Sequence, residues 1–126
     1  SEESMTEDGF GENPIYQMWV AVEDKTIIGL ALTYIRYSTW KGRMLYLEDI
    51  IVTESKRGKG IGKSLFLTVC KEVQLHQWNG LIWQVLDWNE PALNFYRKFN
   101  ASLDPEWING KLLPETIDII LKNESI

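Results

Sequence analysis

The sequence predicts an α+β fold, in which a mixed, mostly antiparallel sheet is flanked by helices. Three observations lead to this prediction. Apolar runs in the first half of the chain are joined by short polar turns, which is typical of antiparallel strands. A helical stripe of apolar residues follows them. A short, nearly continuous apolar run then predicts a buried strand, and helices packed on a sheet account for this order of elements.

The antiparallel part begins with a hairpin. Residues 16–23 (YQMWVAVE) and 26–37 (TIIGLALTYIRY) predict its two strands, with Asp24-Lys25 as the tight turn. Residues 38–42 (STWKG) form another short connection, and residues 43–52 return as a third strand.

The N-terminal residues 1–13 (SEESMTEDGFGEN) are acidic and lack apolar periodicity. We therefore expect an acidic N-terminal tail or loop, followed by a single domain over residues 14–122.

The helical stripe lies in residues 60–76, with apolar side chains at Ile61, Leu65, Val69 and Val73. Asn79-Gly80 is expected to end this helix.

The rest of the chain predicts smaller elements. Residues 81–86 (LIWQVL) indicate a short buried strand, and residues 90–99 a helix capped by Asn89. Residues 101–107 and 112–121 are expected to be two further strands.

Composition limits the classes of function. The 126 residues carry a net charge of −5, but residues 55–64 (SKRGKGIGKS) carry +4, so the rest sums to −9. An acidic body argues against a nucleic-acid partner, whereas the basic turn suits a compact anion. One cysteine excludes an internal disulfide, and a single histidine makes a zinc site implausible, so no metal is expected.

Neither a membrane-spanning run of about 18 apolar residues nor a signal-peptide pattern is present in the sequence. No membrane partner is therefore expected, and the expected location is cytoplasmic.

Three phosphate-binding patterns compete for the glycine-rich turn. The Walker A pattern of nucleotide-binding P-loop proteins would need a glycine at Arg57, and the dinucleotide pattern would need one at Lys63. The pattern R-G-x-G-x-G fits residues 57–62 without a mismatch. Successive backbone N–H groups and the start of a helix would there converge on an anion. A glycine-rich connection with solvated lysines is the structural alternative.

Together with the downstream run WNEPALNFY (residues 88–96), this turn resembles the acetyl-CoA site of the GNAT superfamily of N-acetyltransferases. The runs EDGFGENP, YSTWKGR, LYLEDI and DWNEPALNFY resemble the spermidine/spermine (diamine) N-acetyltransferase family. YSTWKGR and VLDWN are more similar to its thialysine-acetylating relatives. The resemblance extends from Glu7 to about Leu121 and implies a GNAT-like fold. Such proteins begin with a further strand and two helices before EDGFG, so an N-terminally incomplete, processed or truncated form is expected.

The resemblance implies which residues hold acetyl-CoA, the expected co-substrate. The backbone of the third strand would bond the pantetheine arm like an added strand, and the turn would hold the pyrophosphate. Asn89 would cap the next helix and also bond the coenzyme. The expected coenzyme-binding residues are Ile50, Ile51, Val52, Arg57, Gly58, Lys59, Gly60, Ile61, Gly62, Lys63, Asn89, Glu90, Pro91, Ala92 and Tyr96.

Acetyl transfer to an amine needs a group that takes the amine proton. Glu48 and Asp49 lie inside an otherwise apolar strand, and strand alternation predicts that they face opposite sides of the sheet. The resemblance favours Glu48 as the catalytic base and as a holder of the cationic acceptor, with Asp49 in support. Structural ion pairs are the alternative for both carboxylates.

The departing thiolate is helped by a proton, and the resemblance implies that Tyr96 supplies it. Ala92, Phe95 and Phe99 would then pack on the sheet and leave the Tyr96 hydroxyl free. The alternative is that Tyr96 is a core aromatic residue.

The acceptor would be held by acidic and aromatic side chains. Trp40 offers a cation–π face, and Glu106 and Trp107, next to Asp104, are further candidates. Ser38 stands where polyamine-type members have an aspartate, which weakens the case for a long polyamine.

The expected function is transfer of an acetyl group from acetyl-CoA to a small cationic amine, such as a diamine, a polyamine or thialysine. The alternatives are a non-catalytic acetyl-CoA-binding protein, an acetyltransferase acting on a protein or peptide amine, and a nucleotide-binding P-loop protein. By analogy with the relatives, a homodimer is expected.

Overall fold

The computed structural model describes residues 1–105 and 107–124, and they form two compact units, Ser1–Gln84 and Val85–Ile126. The first unit holds a four-stranded sheet in the order β1-β2-β3-β4. Its elements are α1 (Glu2–Phe10), β1 (Gln17–Glu23), β2 (Thr26–Ser38), β3 (Gly42–Val52), a 3-10 turn (Glu54–Lys56), α2 (Ile61–His76) and β4 (Leu81–Trp83). The second unit holds α3 (Glu90–Arg97) and α4 (Pro114–Glu124).

The sheet is mixed, as the sequence predicts. β1, β2 and β3 pair antiparallel, and β4 pairs parallel to β3. Asp24 and Lys25 both have positive φ, the backbone of the tightest hairpin turns. Helix α2 contacts β1, β2 and β3, so the prediction of a mixed, mostly antiparallel sheet flanked by helices is confirmed.

The core lies between α2 and one face of the sheet. From α2, Leu65, Phe66 and Val69 are buried, and Ala31 and Leu47 are buried in the strands. Gly29 lies beneath the helix, because a Cβ added there would come 3.1 Å from the Leu65 side chain. We call this the helix-covered face of the sheet.

The first segment differs from its prediction. Residues 2–10 form helix α1 rather than a tail or loop. The Ser1 hydroxyl accepts a hydrogen bond from the Ser4 amide, and Glu2 and Glu3 lie in the first turn, where negative charge is favourable.

The last segment also differs. The predicted strand at residues 112–121 overlaps helix α4, and the described part of residues 101–107 contains no strand. Pro114 begins the helix with Glu115 behind it, both residues favoured in a first helical turn. The three isoleucines of this run favour a strand, but the helix-start residues prevail. The strand predicted at residues 81–86 is shorter and ends at Trp83.

Candidate active site

The two carboxylates of β3 lie at a β-bulge. Along the β2–β3 ladder Leu32 pairs with Asp49 and Thr33 pairs with Leu47, so Glu48 is the extra residue. A bulge of this kind interrupts the alternation of side chains. Asp49 therefore shares a face with Leu32. The hydrogen bond from Tyr34, which lies on that same face, puts Glu48 there too. The prediction that the two carboxylates point to opposite faces is wrong for this reason.

Glu48 lies beside two stacked tyrosines. The Tyr34 hydroxyl donates a long hydrogen bond of 3.3 Å to Glu48 Oε2. The rings of Tyr34 and Tyr46 stack with centroids 5.0 Å apart, and the Arg36 guanidinium lies 5.7 Å from the Tyr46 centroid. These side chains occupy the face opposite α2, which we call the open face.

The Glu48 charge is felt by both rings. Burial first, and then the Glu48 charge, raise the pKa of Tyr34 and of the buried Tyr46. Glu48 and Asp49 are themselves exposed, and neither forms an ion pair with any residue that the structure describes. The alternative that they are structural ion pairs therefore has no support, and both charges are available to a cation.

β3 loses its partner on one side at the bulge. The parallel register with β4 runs through Leu45↔Leu81 and Tyr46↔Ile82 and stops at Leu47↔Trp83. Beyond it, residues 50–52 still pair with β2, opposite Ala31, Leu30 and Gly29. Ile50, Ile51 and Val52 thus present one backbone edge to which no strand of the described chain is paired.

The glycine-rich turn follows this free edge at the start of α2. Gly58 and Gly60 have φ of +79° and +83°, and a Cβ added to either would meet nothing within 4 Å. Gly60 is the N-cap of α2 and no side chain caps this helix start within the described residues. The first amides of the helix, from Ile61 to Lys63, are therefore left for an anion.

The basic residues of the turn are not all free. Lys56 forms a 2.5 Å ion pair with Glu23, and the Arg57 Nε donates to the Val52 carbonyl at 3.0 Å. The hydrogen bond and charge of Lys56, and further the charge of Lys59, lower the pKa of Glu23. Arg57 thus ties the turn to the end of β3, while Lys59 and Lys63 remain the candidates for an anion.

Helix α3 of the second unit begins as predicted. The Asn89 side chain accepts a hydrogen bond of 3.3 Å from the Ala92 amide, and Pro91 lies in the first turn behind Glu90. Glu90 forms a 3.2 Å ion pair with Arg97, two turns further along the same face of the helix.

The packing of α3 differs from its prediction. Leu93 and Tyr96 are its buried residues, whereas Ala92, Phe95 and Phe99 are only half-buried. Tyr96 packs edge-on against Phe95, with centroids 5.3 Å apart. Burial raises the pKa of the Tyr96 hydroxyl, so it is protonated at neutral pH. The burial agrees with a core aromatic residue, and a proton-donating role stays a prediction.

The predicted acceptor residues are not all brought together. Trp40 is 91% exposed at the tip of the β2–β3 hairpin, where the Ser38 hydroxyl accepts hydrogen bonds from the Trp40 and Lys41 amides. Gly42, next to that tip, is six strand residues from Glu48, or about 20 Å at the usual rise per strand residue. Ser38 and Trp40 therefore lie away from Glu48 within one chain.

The other two acceptor candidates are Glu106 and Trp107, and Trp107 belongs to the second unit. Trp107 is 82% exposed, and its indole N–H donates to Asp104 at 3.0 Å. Glu106 lies outside the described residues.

Tyr34, Tyr46 and Arg36 were missed from the sequence, although a signal for the two tyrosines was present. If the two strands are paired outward from the STWKG turn, Tyr34 falls opposite Tyr46, and Tyr46 is two residues before Glu48.

No group of three or more potential metal ligands occurs among the described residues. None of the helices in this part of the chain combines the length and the apolar character that a membrane span requires.

The chain is similar to known proteins in sequence and in fold. Residues 1–101 match the family model described as "Acetyltransferase (GNAT) family". The chain is 39% identical over 109 residues to thialysine N-epsilon-acetyltransferase of Bos taurus. This match covers 80% of the chain and 64% of the relative. It is 35% identical to spermidine/spermine N(1)-acetyltransferase-like protein 1 of Homo sapiens, covering 75% of the chain and 14% of that protein.

The chain thus spans somewhat under two thirds of the thialysine relative. Among solved structures, an integron cassette protein from V. cholerae superposes with a TM-score of 0.81 at 27% identity, covering 97% of the chain and 78% of that protein. An aminoglycoside acetyltransferase from an uncultured soil metagenome superposes with a TM-score of 0.73 at 18% identity, covering 90% and 73%. By its sequence match over residues 1–101, with a fold in agreement, the chain belongs to the GNAT acetyltransferase family.

Proposed function

We propose that the chain transfers an acetyl group from acetyl-CoA to the primary amine of a small cationic acceptor. One observation carries the proposal: the bulge places Glu48 and Asp49 on the open face where β3 loses its β4 partner. Cation-binding carboxylates and a free backbone edge are thus adjacent on one strand. The names of the relatives, which act on thialysine or belong to the spermidine/spermine group, support an amine acceptor.

The residues present fit the co-substrate. The pantetheine arm of coenzyme A carries amide groups, which can pair with the free edge at residues 50–52 as an added strand would. The open space over Gly58 and Gly60 lets a pyrophosphate approach the amides at the start of α2. Lys59 and Lys63 would add positive charge there. The thioester, when bound, supplies the acetyl carbon that the amine attacks.

Glu48 is the proposed base. An alkylammonium group with a pKa near 10.4 is almost fully protonated at neutral pH and has no lone pair. Glu48 binds this cation and accepts its proton, directly or through one water, so that the neutral nitrogen can form the new C–N bond. Tyr34, hydrogen-bonded to Glu48, holds the carboxylate in place, and Asp49 adds a second negative charge on the same face.

Tyr96 is the proposed proton donor to the sulfur when the C–S bond breaks. Burial raises the pKa of its hydroxyl, so a proton is available at neutral pH. The thiolate of coenzyme A is itself a tolerable leaving group, because thiols have a pKa of about 8.5. The contribution of Tyr96 is therefore smaller than that of Glu48.

A panel of acceptors tests the proposal. Purified protein is mixed with acetyl-CoA and with thialysine, ornithine, putrescine, spermidine or a lysine-containing peptide, and free thiol is measured. We expect thiol release with at least one small amine, and an acetylated product of matching mass. Calorimetry with coenzyme A and with ATP accompanies the panel.

Three results would overturn the proposal. Coenzyme A binding without turnover for any acceptor would leave a non-catalytic binder. Turnover of the peptide alone would make the acceptor a protein amine. Binding of ATP in place of coenzyme A would assign the turn to a nucleotide.

Two further expectations stay predictions. The proposed homodimer is tested by sedimentation equilibrium, and a monomer at all concentrations would contradict it. The proposed cytoplasmic location is tested by cell fractionation of the full-length protein.

A further inference from the structure

A wide-mouthed cavity, open to solvent, lies on the helix-covered face of the sheet, away from Glu48. Its volume is about 470 Å³, within the range of small-molecule pockets. Three aromatic residues line it, Phe10 at the end of α1, Tyr16 before β1 and Trp19 in β1, and Glu72 of α2 contributes a carboxylate. Trp19 pairs with Ala31, which lies on the face opposite Glu48.

One wall of this cavity is held in place by its surroundings. The Tyr16 hydroxyl donates to the Met5 carbonyl of α1. A side chain at Gly9 would collide with the Tyr16 ring, so the glycine allows the ring to lie directly against the helix. Tyr16 is thus held by a hydrogen bond and by contact with α1, and it lines the cavity from that position.

The charge around the cavity is negative. Residues 1–13, which include the whole of α1, hold five carboxylates and no lysine or arginine. Glu72 accepts one hydrogen bond, from His76 Nε2 at 2.8 Å, and a carboxylate has room for several more. The carboxylates of α1 and of Glu72 therefore make the cavity attractive to cations and unfavourable to anions.

We propose that this cavity binds an alkylammonium ion. Aromatic faces attract cations through their quadrupole, most strongly when the cation is weakly hydrated, and a carboxylate beside the rings supplies the opposite charge. The combination of three aromatic side chains and one carboxylate suits a methylated ammonium group better than an anion or a neutral apolar ligand. The site is separate from Glu48, so it binds ligand without acetylating it.

Choline is a suitable probe, because its nitrogen has neither a proton nor a lone pair and cannot accept an acetyl group. Its neutral analogue 3,3-dimethylbutan-1-ol has nearly the same shape. Each is titrated into ¹⁵N-labelled protein at constant ionic strength, and the Gly9 amide and the Trp19 indole N–H are followed by NMR. We expect saturable shifts with choline and much smaller ones with the neutral analogue.

Variants assign the site. Trp19→Leu and Glu72→Gln should each weaken choline binding by about tenfold, the usual worth of one cation–π or charge contact. Matched changes at exposed residues elsewhere, Trp88→Leu and Glu124→Gln, should leave it unchanged. Phe10 is 72% exposed, so Phe10→Leu should fold normally and still weaken binding.

Four outcomes would overturn the proposal. An equal response to the neutral analogue would make the cavity merely apolar. Shifts confined to Tyr34 and Glu48 would place the cation in the proposed acceptor site. Parent affinity in Phe10→Leu, or no saturable shift at all, would remove the site. None of these results depends on acetyltransferase activity.

Discussion

Placing a charge at Gly60 tests the anion site most directly. Gly60 has φ of +83°, and a Cβ there meets no atom within 4 Å, so a substitution costs backbone strain but creates no clash. Asparagine and aspartate tolerate this conformation best among non-glycine residues. We expect Gly60→Asn and Gly60→Asp each to lower the free energy of unfolding by about 1 kcal/mol. The melting temperature should then fall by about 4 °C.

The two variants differ in charge at nearly the same shape. A carboxylate about 5 Å from one phosphate charge costs about 3 kcal/mol at an effective dielectric constant of about 20. That energy corresponds to about a hundredfold loss of affinity. Gly60→Asn fills part of the same space without charge, so it should weaken coenzyme A binding less than Gly60→Asp does.

Isothermal titration calorimetry with coenzyme A at two salt concentrations measures both effects. The difference in coenzyme A affinity between Gly60→Asp and Gly60→Asn should become smaller at high salt, because mobile ions screen the added charge. Equal affinity of Gly60→Asp and Gly60→Asn would show that no phosphate lies near this residue. Parent affinity in both folded variants would place the phosphate site elsewhere.

Four further predictions address the site and the sheet. Glu48→Gln should lower turnover at neutral pH by about 10²–10⁴-fold, with Glu115→Gln as the unaffected control, and an unchanged pH–rate profile would remove the base role. Tyr96→Phe should slow turnover by a smaller factor with coenzyme affinity nearly unchanged, whereas full activity would leave Tyr96 as a packing residue. The buried Thr33 hydroxyl has no hydrogen-bond partner in the described chain, so Thr33→Val should raise the free energy of unfolding in urea by about 1 kcal/mol, and a decrease would contradict this. Burial and the Glu48 charge raise the pKa of Tyr34. The free energy of unfolding should therefore fall as the pH rises above about 10 through the pKa of the folded state. Tyr34→Phe should make this fall less steep, and an identical dependence on pH would refute the assignment.

The central elements could be predicted because local patterns and tertiary packing agree there. Asp24 and Lys25 separate two alternating runs, and the α2 stripe at four-residue spacing is the side that packs on the sheet. The turn at residues 57–62 and the Asn89 cap also follow from local rules, since glycine and asparagine are selected for backbone conformations and hydrogen bonds that they make themselves.

The remaining errors have identifiable causes. α1 was missed because its apolar residues are few, although Ser1, Glu2 and Glu3 are helix-start signals. For α4, the helix-start signals Pro114 and Glu115 outweigh the strand preference of its isoleucines. The bulge could not be predicted from the sequence. The run LYLEDIIV is apolar on both sides of its two carboxylates, so it does not show which residue is the extra one. Only the cross-strand register decides which residue is extra.

The bulge also determines which of the following apolar residues face α2 and become half-buried. With Glu48 as the extra residue, Ile50 and Val52 pair with Ala31 and Gly29 beneath α2, and Ile51 turns outward at 50% exposure. A regular strand would reverse this choice, exposing two apolar side chains to solvent and pressing one against the helix. The packing of Ile50 and Val52 beneath α2 therefore favours the register in which Glu48 is the extra residue. Deleting a single residue from β3 should move the charges and the core together.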